Sequence, residues 1–296
     1  MKVTDKCAQN SNRLNFICDF SPTRGVDPSV LERARKLEAD YICVAYNPGK
    51  AVRVDTVAMA YQLKQQSKRD VIFNLACRDM NKLAIQSHLL GASMLGLENV
   101  VVVRGDAFKP EELEKVKEVS DYKTTELIEA IKQLNGGIDY RGSTLKFPTD
   151  LCVGSTLDLA HGAEREAALV QTKIQKGVDF LLTQSVFDIS TMTRFLDTYN
   201  SIAKEKLNVP VFCGLQILEK DTVIFGNPPP GTMAQLDHGR SGVDIALELL
   251  HSLIAAGFRN IYLVPPILKG GARNYEAAQA LIEASRSMAG KAKSHR

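Results

Sequence analysis

Eight short apolar runs, each followed by a helical pattern, constrain this chain more than any other feature. They lie at 16–20, 41–46, 71–77, 100–103, 151–155, 180–185, 211–217 and 261–265. Most are rich in Val, Ile, Phe and Cys and lack period-two alternation, the pattern of strands buried on both faces. Between them lie amphipathic segments. Segment 29–38 places Val30, Leu31, Ala34 and Leu37 on one face. Segment 81–96 offers Leu83, Leu90, Met94 and Leu95; segment 242–257 offers Ile245, Leu249, Leu253 and Ile254; segment 274–288 offers Ala277, Leu281 and Ile282. Segments 163–177 and 242–257 both end in glycine, a helix stop. Parallel strands need such crossovers. Eight βα units in 296 residues predict an α/β chain folded as a closed (βα)8 TIM barrel. The rival is an open doubly wound sheet, which carries a glycine-rich phosphate turn after its first strand. Here the first run leads into Ser21-Pro22-Thr23-Arg24-Gly25, which is no such turn.

The whole chain, 1–296, reads as one barrel domain, with a polar N-terminal extension at 1–13 and a basic tail at 289–296. Two connections are long. One, 106–150, contains a helical pattern at 124–135; the other, 218–241, contains Phe225-Gly226-Asn227-Pro228-Pro229-Pro230-Gly231. Insertions of that length in a compact domain are usually functional or mobile.

The net charge of +3 is small and spread along the chain, so no nucleic-acid partner is expected. No apolar run approaches the roughly 18 residues of a membrane span, and no signal peptide is visible. None of the six cysteines forms a C-x-x-C pair, and most sit in strand-like runs, as buried thiols of a reducing compartment do. A cytoplasmic location is the expectation. Neither metal-ligand spacing nor a Ser-His-Asp arrangement stands out, and His88 and His251 lie in helical patterns as packing or surface residues.

Polar residues at the exits of apolar runs are the candidate site, because barrel chemistry sits at the C-terminal ends of the strands. Asp19 is the acid in the first run. It is either a strand-end ion pair with Arg24 or a carboxylic acid fit for proton transfer. Asp106 closes Arg104-Gly105-Asp106. It is either a salt bridge to Arg104 or a carboxylate beside a ligand, with Gly105 allowing close backbone approach. Gln184 ends the sixth run, where an amide satisfies a loop or pairs with the amide edge of a planar ring. Arg78, Asp79 and Asn81 read as a helix cap with its counter-charge. Lys269-Gly270-Gly271 reads as a turn, with a weak phosphate-site signal.

Three of these stretches carry a resemblance. Cys77-Arg78-Asp79-Met80-Asn81, Val103-Arg104-Gly105-Asp106 and Thr183-Gln184-Ser185-Val186-Phe187-Asp188, with Gln86 to Ala92 between the first two, resemble the methylenetetrahydrofolate reductase family over residues 16–212. The resemblance implies a hydride relay from NADH or NADPH, through bound FAD, to methylene-tetrahydrofolate, giving 5-methyltetrahydrofolate. It places the chain in one-carbon metabolism and methionine biosynthesis; a demethylating pathway would run the site in reverse. It implies Asp19 as general acid and Asp106 as a catalytic carboxylate beside flavin and folate. Gln184 and Phe187 become folate-binding. Asn74, Arg104, Gly105, Asp106, His161, Glu166 and Lys173 become flavin-binding, the last three near the ribityl–phosphate part. Glu166 and Lys173 read equally as a pair on a solvated helix face. Arg78 to Asn81 would edge the adenine half of the flavin.

The sequence departs from the family in places. Asp19 stands where the family has Glu, Thr23 replaces a proline, Asn74 stands where His is usual, Ala45 where Thr is, and Ser185 replaces an aromatic. Two alternatives stay open: a flavin-free reductase passing hydride directly from NAD(P)H, and a non-catalytic folate-binding subunit. The expected partners are a small folate, with no nucleic acid and no membrane, and a homo-oligomer or a one-carbon pathway protein.

Overall fold

The apolar runs close on themselves. In the computed structural model, which describes residues 1–10, 12–67 and 69–293, eight parallel strands form a closed barrel in sequence order. They are β1 Asn15–Phe20, β2 Tyr41–Val44, β3 Asp70–Ala76, β4 Asn99–Val103, β5 Cys152–Leu157, β6 Phe180–Ser185, β7 Val211–Gln216 and β8 Asn260–Val264. The helices run α1 Val3–Gln9, α2 Ser29–Arg35, α3 Thr56–Ser67, α4 Lys82–Met94, α5 Pro110–Leu113, α6 Thr124–Asn135, α7 Ala163–Gln175, α8 Ile189–Ala203, α9 Thr232–Asp237, α10 Gly242–Ala255 and α11 Tyr275–Lys293. The barrel expected from the run spacing is therefore the fold.

Each strand divides its residues between two cores. Phe16, Cys18 and Phe20 of β1 pack outward with the helices, while Ile17 joins Tyr41, Cys43, Ile72, Val101, Phe180, Leu182 and Phe212 inside. Alternation therefore exists, but both faces are apolar, which is why the runs look continuous in sequence. The helix faces expected at 29–38 and 274–288 are buried as read. The face at 81–96 is not. Leu83, Leu90, Met94 and Leu95 are exposed, and α4 instead buries Ile85, Gln86, Leu89 and Ala92. That helix is apolar on two sides, and position alone decides which side meets the barrel. The face at 242–257 is shifted in the same way, toward Ala246, Leu247, Leu250 and Leu253.

The N-terminal extension does more than its polarity suggested. α1 caps the N-terminal end of the barrel. Val3 is fully buried against the interior cluster, and its backbone N–H donates to Asn99 Oδ1 at 2.9 Å. The Tyr41 hydroxyl donates to the Lys2 carbonyl at 2.9 Å. The Met1 amino group lies 2.8 Å from Asp70 and 2.6 Å from Glu98. Burying one valine is worth about 1.5–3 kcal/mol. Of the expected basic tail, 289–293 continues α11, and residues 294–296 lie outside the described residues. All six cysteines are free thiols.

Candidate active site

The opposite end of the barrel is open. A cavity of about 1070 Å³ sits over the C-terminal ends of the strands, large enough for a bulky ligand or two stacked ones. Asp19, Asn74, Arg104, Gly105, Asp106, His161, Glu166, Lys173 and Gln184 all line it. Of the residues expected from sequence, Phe187 stands apart. It is absent from the cavity wall, and its ring lies against Gly226, 3.6 Å from where a Cβ there would be. Phe225, beside Gly226 in the long loop after β7, faces the cavity instead.

Asp19 is 5% exposed and has two partners that the sequence did not announce. Arg273 Nε donates to its Oδ2 at 2.7 Å, and the Tyr262 hydroxyl donates to its Oδ1 at 3.0 Å. The expected partner Arg24 makes no such bond. Burial opposes the charge on Arg273, yet Asp19 outweighs it and raises the guanidinium's pKa. Tyr262 is pushed well above its ordinary value, chiefly by burial and then by the Asp19 charge. Tyr262 lies inside β8 and was concealed as one more aromatic in an apolar run. Arg273 lies in the loop beyond β8, where periodicity carries no information.

The Arg104–Asp106 salt bridge considered from sequence does not form; neither side chain has an ion-pair partner among the described residues. Gly105 between them has φ +85°, and a Cβ there would lie 3.2 Å from Arg78 Cβ. A glycine is therefore what lets β4 turn tightly past Arg78. Arg78 chelates Asp79 (Nε to Oδ1 2.5 Å, Nη2 to Oδ2 2.6 Å), donates to the Asp106 carbonyl at 2.6 Å and stacks over Phe108. Tyr46 completes this group, its pKa raised by burial and by Asp79. Asn81 caps α4 by accepting from Ala84 N–H, as its position predicted.

Glu166 and Lys173 are not on a solvated face. They are 4% and 3% exposed. Lys173 Nζ donates to the Thr156 carbonyl at 2.5 Å, and Glu166 Oε2 accepts from Asp158 N–H at 3.1 Å. Burial lowers the Lys173 pKa, with Glu166 opposing. His161 sits above them, its Nδ1 3.3 Å from Asp158 and 4.0 Å from Glu166.

Gln184 is placed by an irregularity. The β6–β7 register shifts between Leu182 and Ser185, and such bulges re-aim side chains. Thr183 Oγ1 accepts from Gly214 N–H at 2.7 Å and holds the kink. The Gln184 amide makes no hydrogen bond within the described chain and is exposed to the cavity. Gln216 anchors the loop above it, donating to the Val223 carbonyl at 2.7 Å and accepting from Phe225 N–H at 2.9 Å. The walls between these groups are apolar: Val101, Val103, Leu182 and Val264.

Fold and site together define a (βα)8 barrel with a large cavity at the C-terminal ends of its strands, lined by unpaired amide, carboxylate and cationic groups. The family model described as methylenetetrahydrofolate reductase matches residues 6–221, and the chain belongs to that family. It is 24% identical over 193 residues to a protein of Caenorhabditis elegans described as a probable methylenetetrahydrofolate reductase (NADPH), covering 61% of this chain and 27% of that one. It is 23% identical over 200 residues to the 5,10-methylenetetrahydrofolate reductase of Pectobacterium carotovorum subsp. carotovorum, covering 66% of this chain and 62% of that one. The matched part thus spans less than two thirds of these curated relatives. The same fold occurs in a solved Clostridium thermocellum protein described as binding two copies of 5-methyl-5,6,7,8-tetrahydrofolic acid. That match has a TM-score of 0.68 at 17% identity and covers 97% of this chain and 100% of that one. Among the described residues, no helix is long and apolar enough to cross a membrane, and no cluster has the make-up of a metal site.

Proposed function

We propose that this chain is a folate-directed oxidoreductase that interconverts methylene- and methyl-tetrahydrofolate with NADH or NADPH as hydride source. The observation that carries this reading is that the free Gln184 amide and the buried Asp19–Tyr262–Arg273 cluster line one apolar-walled cavity. A pterin presents paired donors and acceptors along one edge, and an unoccupied amide is the complement of such an edge. Phe225 supplies the flat surface that Ser185 cannot, and Phe187 supports it from behind Gly226.

Asp19 is the proton-handling group in this account. Opening the five-membered ring breaks the bond from the bridging carbon to N10. The N10 nitrogen gains a proton, and the carbon is left as a cation on N5 that accepts hydride. Arg273 and Tyr262 hold both oxygens of Asp19, so it rests as a carboxylate; it takes a proton from water in the open cavity, passes that proton to N10, and returns to the carboxylate the same two donors stabilise. Asp106, unpaired, places a second negative charge in the cavity. Val101, Val103, Leu182 and Val264 form apolar walls, so a ligand covering the cavity would lower the local dielectric and strengthen each of these interactions.

The residues present fit a flavin. Arg104, Lys123 and Arg165 line the cavity without an ion-pair partner among the described residues, and a diphosphate supplies the missing charge. His161, Glu166 and Lys173 would hold the ribityl side, and Asn74 and Gly105 the ring side. FAD bound there supplies a ring that accepts and donates hydride. Asn74 Oδ1 accepts from the Cys43 thiol at 3.2 Å, which leaves its Nδ2 to face the ring.

The test is the purified protein itself. It should absorb at flavin wavelengths and oxidise NADH or NADPH in the presence of methylene-tetrahydrofolate. Colourless protein with that same activity would replace the flavin relay by direct transfer. Colourless, inert protein that binds 5-methyltetrahydrofolate would make it a binding subunit. Protein that neither binds nor turns over any folate would end the proposal.

A further inference from the structure

A second cavity of about 280 Å³ opens beside the main one and shares Arg24, Arg53, Gly270, Gly271 and Arg273 with it. Its walls come from the loop after β1, α2, the loop before α3, the loop after β8 and the start of α11. Arg24, Arg33, Arg53 and Arg273 meet there with a single carboxylate, Asp27. Arg273 is already matched by Asp19. Asp27 is engaged by Ser29, whose N–H donates to Oδ1 at 2.9 Å; its pKa is lowered first by Ser29 and to a lesser extent by Arg33. Among the described residues Arg24, Arg33 and Arg53 form no ion pair, which leaves a local excess of positive charge.

A cluster of arginines on a free surface is ordinarily just solvated. Arg53 is different, because it is half-buried and fixed in place. Its Nη1 donates to the Pro22 carbonyl at 2.8 Å and its Nη2 to the Gly270 carbonyl at 3.3 Å, while its buried Nε has no partner. Burial, then Arg273, then Arg24 all disfavour its charge. Gly271 makes room for it: a Cβ there would lie 2.5 Å from Arg53 Nη2, and φ is +87°. Ser21, 5% exposed, also lines this cavity, and its Oγ is buried without a hydrogen-bond partner. A confined cation among like charges and an unsatisfied hydroxyl are both costly unless an acceptor arrives from outside.

We propose that this second cavity is an anion subsite that takes the carboxylate or phosphate groups at the far end of the ligand whose ring occupies the main cavity. That the ring is a folate or a nicotinamide rests on the proposed function; the anion chemistry rests on the arginines. Two sources carry such groups: the γ-linked glutamates of a folate tail, and the additional phosphate of NADPH. Arg24 and Arg33 are exposed, so Arg24→Ala/Arg33→Ala leaves the barrel core untouched, and circular dichroism confirms its folding.

Calorimetric titration of wild type and this variant compares mono- with tri-γ-glutamyl 5-methyltetrahydrofolate, and NADH with NADPH, at about 50 mM and at about 500 mM salt. The subsite predicts that wild type favours one anion-rich partner of a pair by about tenfold or more, the scale of a charge-assisted hydrogen bond. The variant removes that preference, and high salt weakens it. Preference for the triglutamate identifies the tail; preference for NADPH identifies the phosphate. Preferences unchanged in the variant, or absent from wild type, overturn the subsite. If wild type binds no folate at all, the folate reading fails on its own. Titration with inorganic tripolyphosphate then still reads the arginines: binding lost in the variant supports the subsite, and binding absent from wild type overturns it.

Discussion

The two ends of the barrel are built from the same strands yet treat polar groups in opposite ways. At the N-terminal end Tyr41 and Asn99 bond to other protein groups, Asn15 does so through Nδ2 while its Oδ1 has no partner, and Val3 plugs the interior. At the C-terminal end Gln184, Arg104, Asp106 and Arg165 face a cavity with their bonding capacity unused. A folded chain satisfies its polar groups wherever stability alone is at stake. Unused capacity gathered at one end, over a wall of apolar residues, is what ligand binding requires. Stability is concentrated at one end and binding at the other, with Asp19 and Arg273 serving both.

That division can be broken by mutation, and Asp19 is where it should break hardest. Asp19→Asn is expected to lower folate reduction by about 10²–10⁴-fold, the usual contribution of a positioned proton donor. Because it strips the charge opposite buried Arg273, it should also destabilise the fold, by up to about 3–5 kcal/mol. Steady-state kinetics together with thermal melting report both effects. Wild-type turnover in this variant would leave Asp19 a structural ion pair only.

Next come the cations proposed to hold a flavin. Arg104→Ala/Arg165→Ala should lose bound flavin about tenfold or more in affinity, read from absorbance after dialysis, with little change in melting of the flavin-free protein. At the closed end, Val3→Ala should cost about 1.5–3 kcal/mol and lower the melting temperature by several degrees. Its affinity for ligands should be unchanged. The smallest effect is expected at Gln184, where Ala should weaken folate binding by about 1–3 kcal/mol and leave the melting temperature where it was.

Much of this was legible in the chain. Asp19, Asp106 and Gln184, which line the cavity, were singled out because a polar residue in or just beyond an apolar run is expensive and therefore informative; Asn74 entered only through the family resemblance. Tyr262 escaped because an aromatic ring is ordinary in such a run and only its hydroxyl has a task. Arg273 and Arg53 escaped because loops have no period, and their convergence depends on barrel closure bringing β8 next to β1. Leu83, Leu90 and Met94 misled because α4 offers two apolar sides, and hydrophobic pattern alone does not say which one the barrel covers. The N-terminal segment was read only as a polar extension because a single buried valine in a polar stretch leaves no pattern to detect.

The division between the two ends is tested most directly by titrating 5-methyltetrahydrofolate into wild type, Gln184→Ala and Val3→Ala side by side. That division predicts saturable binding to wild type, equal affinity in Val3→Ala despite its lower melting temperature, and about tenfold weaker binding in Gln184→Ala at an unchanged one. No binding to wild type, or equal affinity in Gln184→Ala, would contradict it.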